Sequence, residues 1–449
     1  MNIALIHFRV GETDGVSLEM DKWRKILEKM GHNTFYIAGS KGTCDAILIP
    51  ELYYRDEYDA LLTKECYVKL NKFNEEELNE AIINISKVIE DKLIKIITDN
   101  KIDLIVPNNI LALGRSVQVG MAVNNAVKKT GVKVVGHHHD FYWEREFFSH
   151  PTNKFVEKKL EQCFPPKDLG EQMKHAVINT LAKDDLKAKK GLDSTVVPNV
   201  FDFEAPLWKK DDYNSGFKND LEISDNQILF LQATRVTNRK AIELAIDLVA
   251  TLNKPENRAK MMNKELYDGR KFNEETEYVL ALVGLHEGID GYEENLIAYA
   301  KEKNINLIVN QDLVAHSRSM SDDGEKIYSL WDAYVYCDII TYPSIYEGWG
   351  NQFLEGLFAK KPQVVFEYSV YESDIKEKEF DIISLGNTYR TKESGLVEVD
   401  TDILDNAANT TMEILTDKSM YYRIVEENFN IGAKYFSLQA LEDILKEIF

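Results

Sequence analysis

Cysteine is scarce in this chain of 449 residues: Cys44, Cys66, Cys163 and Cys337 stand far apart, and no two form a C-x-x-C pair. That spacing excludes a disulfide framework, and the four read as ordinary buried thiols of a reducing compartment. Long apolar runs are missing as well. No stretch approaches the ~20 uninterrupted apolar residues of a membrane span. The first residues, Met1-Asn2-Ile3-Ala4-Leu5-Ile6-His7, lack the basic segment and cleavage site of a leader and read as a first strand. A cytoplasmic protein without integral membrane association is expected. Basic charge is in deficit: 54 Lys and Arg face 75 Asp and Glu, a formal net charge of −21. This argues against nucleic acid or an anionic membrane as partner of the whole surface, and leaves room for a local basic pocket. The G-x-x-x-x-G-K-[ST] and G-x-G-x-x-G patterns are both absent, so neither the common NTPase loop nor a dinucleotide fingerprint is present.

What is present is an ordinary globular composition, 44% apolar and 29% charged, in a chain too long for one core, since single cores stop growing near ~250–300 residues. Strand and helix signals alternate. Short apolar runs at 3–8, 34–38, 102–106, 132–135 and 176–179 are separated by helical periodicities, the clearest being Leu78, Ile82, Ile85, Ile89, Leu93 and Ile96. After a poorly periodic stretch at 201–224, strands at 228–233, 279–283, 306–309, 338–341 and 363–366 alternate with helices at 241–252, 293–303, 325–336 and 351–360. Such alternation predicts α/β architecture, with mostly parallel sheets covered on both faces. The expected organisation is a Rossmann-like domain over 1–205, a linker over 206–224, a second Rossmann-like domain over 225–430, and a C-terminal helix over 431–449 that packs back on the first domain. A charged insertion at 255–277 reads as a surface elaboration or as an oligomer contact, which leaves a homo-oligomer open. Ligands of doubly wound sheets bind beyond the carboxyl ends of the strands.

Four constellations sit at such ends. Pro343-Ser344-Ile345-Tyr346-Glu347-Gly348-Trp349-Gly350-Asn351-Gln352-Phe353-Leu354-Glu355 follows a strand and opens a helix. Its glycines allow close backbone approach, and a helix N-terminus suits a phosphate or a hydroxyl-rich sugar. A capped turn with two structural carboxylates is the plainer reading. Arg235 and Lys240 follow the strand at 228–233 and can converge on one anion, as a fork and a point charge, or stand solvated. His137-His138-His139-Asp140 ends the strand at 132–135. It reads as a metal site, as a substrate contact through one histidine, or as a polar strand end. The first loop, Gly11-Glu12-Thr13-Asp14-Gly15-Val16-Ser17, lies where a Rossmann half approaches its ligand.

In chain order, these motifs resemble retaining glycosyltransferases of the GT-B fold, family 4. Asp14-Gly15-Val16-Ser17 is similar to the first loop of that family, and His139-Asp140-Phe141 to its His-Asp after an N-domain strand. Val197-Pro198-Asn199-Val200-Phe201-Asp202 is similar to the segment that closes its N-domain. Arg235 and Lys240 have its R-x4-K spacing, Val283-Gly284 resembles its sugar-nucleotide loop, and 343–355 resembles its E-x7-E signature. Thr234 and Ala241 stand where glycines are usual, Trp349 where Phe is, and Lys361-Pro362 follows Lys360 where Gly-[KL]-Pro is common. The resemblance implies two facing Rossmann-like domains with an interdomain cleft. It implies transfer of a hexose, glucose or mannose, from a nucleotide diphosphate sugar, with retention, no metal and no cofactor beyond the donor. Arg235 and Lys240 would meet the departing phosphate, with N–H groups of Gly15 and Val16. Glu347 would hold sugar hydroxyls, Glu355 the ribose, and His139, favoured over His138, the reacting carbon. Gly284, Gly348, Trp349, Gly350 and Asn351 would line the donor.

The acceptor is read as a small soluble molecule, with a saccharide as runner-up. Candidate contacts are Arg9, Asn108, Asn109, His138, Tyr142, Trp143, Glu144 and Arg145; Arg9 and Arg145 suit an anionic acceptor or are ion-paired surface arginines. The alternatives to transfer are a nucleotide-sugar epimerase or hydrolase on the same fold and a non-catalytic partner subunit. The latter should have lost Arg235, Lys240 or Glu347, and all three are present.

Overall fold

A computed structural model describes residues 1–12, 14–284, 291–310, 312–315, 317–321 and 323–449. The chain forms two compact units, one of Met1–Val200 with Leu438–Phe449 and one of Phe201–Ser437.

The first unit is built on seven parallel strands: β1 (Asn2–Val10), β2 (Asn33–Lys41), β3 (Ile47–Leu48), β4 (Leu104–Pro107), β5 (Lys133–His138), β6 (Met173–Val177) and β7 (Thr195–Val196). Their order is β3-β2-β1-β4-β5-β6-β7. Strand β1 shows why the sequence reads as an unbroken apolar run. Ala4, Ile6 and Phe8 enter one buried cluster with Ile89, Leu93 and Ile97, while Ile3, Leu5 and Val10 enter another with Trp23, Ile26 and Leu27. A strand covered on both faces has no polar side to alternate with. The helix Glu75–Asp99 starts at an Asn74/Glu77 capping box, the reciprocal arrangement that satisfies two otherwise orphaned N–H groups. The terminal helix Leu438–Ile448 lays Leu441, Leu445 and Ile448 into the Trp23 cluster, and Glu442 pairs with Lys29 at 2.6 Å.

The second unit has six parallel strands, β8 (Ile228–Gln232), β9 (Tyr278–Leu282), β10 (Asn306–Val309), β14 (Ile339–Tyr342), β15 (Gln363–Val365) and β16 (Ile383–Ser384), ordered β10-β9-β8-β14-β15-β16. Between β10 and β14 lie three short strands, β11 (Val314–Ala315), β12 (Ser319–Met320) and β13 (Lys326–Ser329), in a small sheet of their own. Both large sheets are doubly wound, and the architecture is that of two Rossmann-like domains.

Three expectations are corrected. The stretch 206–224 is not a free linker: Phe217, Leu221 and Ile223 are buried in the core of the second unit with Tyr328 and Tyr334. The helix expected at 325–336 begins only at Leu330, because Lys326–Ser329 is a strand and Ser329 then caps the helix, exchanging hydrogen bonds with Asp332. The insertion at 255–277, read as a surface elaboration or an oligomer contact, instead packs into its own unit. Met261, Leu266 and Phe272 are buried, and Tyr267 stacks on Tyr421 at 3.7 Å between ring centroids. No described helix is long and apolar enough to cross a membrane. All four cysteines are free thiols; three are buried and Cys44 is half-buried.

Candidate functional site

In the second unit the site grows from the ends of β8 and β14. Beyond β8 the chain makes a short turn, Asn238–Lys240, and Ala241 takes a left-handed φ of 45°. Beyond β14 comes the loop that carries Glu347. The two loops are tied by backbone, Ile345 N–H donating to the Arg239 carbonyl at 3.0 Å. Glu347, 8% exposed, accepts a hydrogen bond from the Lys240 ammonium, itself 7% exposed, and another from Arg239 Nη1 at 2.7 Å. Burial alone would raise the Glu347 carboxyl, but Lys240 and then Arg239 outweigh it and hold the group below its ordinary value. Arg235 is exposed, yet close enough for its charge to act on the Lys240 ammonium. One buried carboxylate therefore sits between two cations at a strand end, and Arg235 acts on one of them, Lys240. Glu355, one helix turn into Asn351–Phe358, accepts from Tyr334 Oη at 2.8 Å.

Glycines make this packing possible. A Cβ at Gly284 would lie 1.7 Å from the Thr234 carbonyl oxygen, and one at Gly350 (φ +123°) would lie 2.2 Å from Tyr368 Oη. Gly348 and Asn351 are half-buried in the loop. The Trp349 ring is buried edge-on against Phe436 at 5.3 Å, and its backbone carbonyl accepts from Tyr368 Oη at 2.6 Å. Arg239 is a site residue that the sequence does not single out, because it sits inside the R-x4-K spacing and looks like surface.

In the first unit the loops after β1, β4 and β5 converge. Asn109, with a left-handed φ of 57°, uses its Oδ1 to accept from the backbone N–H groups of His139 at 2.7 Å and Asp140 at 3.0 Å. It shapes the turn, with its side-chain oxygen spent on these two N–H groups. Asn108 Oδ1 meets His137 Nδ1 at 2.9 Å, and the Asn108 carbonyl meets His7 Nδ1 at 2.8 Å. His138 is 0% exposed and bonded to His175 at 3.0 Å, so it is corrected from acceptor contact to interior residue. His139 remains at the strand end, with its ring 4.2 Å from that of His137.

The remaining candidates are engaged. Trp143 stacks on Phe141 at 4.5 Å, donates to Asp185 and is half-buried, and Glu144 accepts from Phe141 N–H at 2.6 Å. Tyr142 is half-buried beside them. Arg145 pairs with Asp140 at 2.6 Å, and Arg9 pairs with Glu12 at 2.9 Å and Asp14 at 3.2 Å. Gly15 is exposed, but Val16 and Ser17 N–H donate to Asp14 Oδ1, so Val16 N–H is already committed to the helix cap. Thr13 lies outside the described residues. Among the described residues no group of three His, Cys, Asp or Glu is placed to hold a metal.

Burial pushes His7, His139 and His175 down to about 4. A histidine held neutral in the fold but protonated at about 6.5 when unfolded costs stability as pH falls from about 6.5 towards 4. We expect about 2 kcal/mol lost per such histidine by pH 5. A melting temperature that does not fall between pH 7 and pH 5 would contradict this.

No family model matches the chain. Mannosylglucosylglycerate synthase of Petrotoga mobilis is 42% identical over 443 residues, covering 98% of this chain and 99% of that protein. Mannosylglucosylglycerate synthase of Thermotoga maritima is 39% identical over 447 residues, covering 99% of each. Among solved structures, a glycosyltransferase from Rickettsia africae superposes with a TM-score of 0.62 at 14% identity, covering 100% of this chain and 97% of that one.

Proposed function

The chain belongs to the family of the mannosylglucosylglycerate synthases, glycosyltransferases of the GT-B fold that move a sugar from a nucleotide sugar, and on that premise we propose that it transfers mannose from a nucleoside diphosphate to glucosylglycerate, with retention and without a metal. The observation that carries the reading is the buried Glu347 held by Lys240 and Arg239 beside Arg235, at the carboxyl end of the second sheet. A glycoside hydrolase needs paired carboxylates, not cations. A leaving nucleoside diphosphate does need cations, because the bond from the anomeric carbon to its oxygen breaks with negative charge building on the β-phosphate.

On this reading Arg235 and Lys240 stabilise that charge in place of a metal, and preorganised charges of this kind commonly supply most of an enzyme's rate enhancement. Glu347, kept ionised by its two cations, accepts hydrogen bonds from hydroxyls of the mannosyl group. Glu355 takes the ribose, and the backbone of Gly284, Gly348, Gly350 and Asn351 lines the donor. His139 stays neutral at pH 7 and offers a hydrogen bond near the anomeric carbon. The departing phosphate takes the proton of the attacking hydroxyl, so no protein base is required. The carboxyl end of the first sheet carries the acceptor.

The test is an assay with GDP-, UDP- and ADP-mannose against glucosylglycerate, with product configuration read by NMR. Transfer from one donor with retained configuration, unchanged by EDTA, is expected. Loss of activity with EDTA would overturn the metal-free mechanism, and no transfer from any donor would overturn the reading.

A further inference from the structure

Three arginines of the first unit surround one tyrosine. The guanidinium carbons of Arg9, Arg55 and Arg115 lie 5.4, 5.6 and 4.5 Å from the ring centroid of Tyr54. They come from three places in the chain: Arg9 from the end of β1, Arg55 from the turn after β3, and Arg115 from the loop between β4 and the helix Val117–Thr130. In the sheet, β3-β2-β1-β4 are neighbours, so these loops gather at the carboxyl end of one half of it. Tyr54 is held from below by Phe8, edge-on at 6.0 Å.

The three cations are not equivalent. Arg9 is neutralised by Glu12 and Asp14. Arg115 is anchored by one donor, Nη2 to the Tyr54 carbonyl at 3.1 Å, while its Nε is buried without a hydrogen-bond partner. Among the described residues neither Arg55 nor Arg115 makes an ion pair. Asp59, a carboxylate whose charge Arg115 feels, spends Oδ1 on Ser116 Oγ at 2.5 Å and Gln118 Nε2 at 2.7 Å; its Oδ2 is buried without a hydrogen-bond partner and makes no ion pair with Arg115. A cation–π contact is worth only about 0.5–1 kcal/mol at exposed sites. That is a weak reason to hold like charges around one ring in a chain of net charge −21. A buried guanidinium donor without a partner is a stronger sign that something is to be received.

We propose that Arg55 and Arg115, floored by Tyr54, form the subsite for the carboxylate of the acceptor. The proposal rests on the reading of the acceptor as glucosylglycerate, whose glycerate end carries that group. The planar guanidinium fork matches a carboxylate, and the aromatic face packs the carbon skeleton beside it.

The experiment compares glucosylglycerate with its uncharged analogue glucosylglycerol, in the wild-type enzyme and in Arg55→Met, Arg115→Met and Arg115→Lys. Charge-assisted hydrogen bonds of this kind correspond to roughly ten- to a hundredfold in affinity. The wild type should prefer the charged acceptor by about that factor in kcat/KM. Each methionine variant should raise the KM for glucosylglycerate, leave the KM for the sugar nucleotide where it is, and erase the preference; lysine should restore part of it. Melting temperatures within a few degrees of wild type exclude misfolding as the cause. A preference that survives both methionine variants, or a rise in donor KM instead, would overturn the subsite while leaving the transfer reading intact. A wild type inactive on both acceptors would overturn the transfer reading, and the subsite with it.

Discussion

Replacing Lys240 by methionine is expected to lower kcat by about 10²–10³, the usual consequence of removing one preorganised charge from a developing oxyanion. The loss has a second component here. Lys240 and Arg239 together keep a buried carboxylate ionised. Without the ammonium, Glu347 faces only Arg239, its carboxyl rises towards and above the ordinary range, and it binds sugar hydroxyls less well. Breaking a buried ion pair from one side also costs about 3–5 kcal/mol of stability. The two components separate in a double-mutant cycle. Lys240→Met with Glu347→Gln should recover much of the melting temperature, because no uncompensated charge is left, yet none of the turnover. Strong non-additivity is expected between residues in direct contact. Full turnover in Lys240→Met, in a folded enzyme, would remove Lys240 from the site.

The fold is legible in the sequence because both sheets are buried on two faces. The central stretches of strands such as β1 (3–6) and β8 (228–231) are apolar without a break, and their alternation with helical periodicity shows in the sequence. What does not show are elements whose residues face mixed surroundings. Strand β13 reads as part of a helix because Glu325 to Tyr336 lacks a period-two pattern, and only the Ser329/Asp332 cap marks the true start. The stretch around Phe217 reads as a linker because its buried residues are spaced irregularly among charges. In the site, Glu347 is visible beside the glycines of its loop, and Lys240 through its R-x4-K spacing with Arg235. Arg239 is not, because nothing in a sequence distinguishes the arginine that reaches a carboxylate more than a hundred residues away. His138 and His139 are indistinguishable by type; strand alternation separates them, burying His138 against His175 while His139 stays at the strand end. The Tyr54 cluster is invisible for the same reason, since Arg9, Arg55 and Arg115 meet only through the sheet order.

Gly284→Ala should be the most damaging change that removes no functional group. The methyl carbon would sit 1.7 Å from the Thr234 carbonyl oxygen, 2.3 Å from its carbon and 3.1 Å from Arg235 N. All three obstacles are backbone, so no rotamer relieves them, and the ends of β8 and β9 must part. The segment that would move carries Arg235 and Lys240. A displacement of about 1 Å at reacting groups can cost around 10²-fold in rate, and a clash of this kind belongs with substitutions worth about 4 kcal/mol or more. Gly15→Ala is the matched control, since a Cβ there meets nothing within 4 Å. The same contact makes no demand on the side chain at position 234. What faces Gly284 is the Thr234 carbonyl, not its side chain. That side chain accepts from Gln232 Nε2 at 2.6 Å, and Gln232 Oε1 in turn accepts from Thr341 Oγ1 at 2.7 Å. The close approach therefore requires a residue without a Cβ at position 284, whatever side chain position 234 carries. Wild-type melting and turnover in Gly284→Ala would mean that the strand ends separate freely and that their spacing does not set the position of the cations.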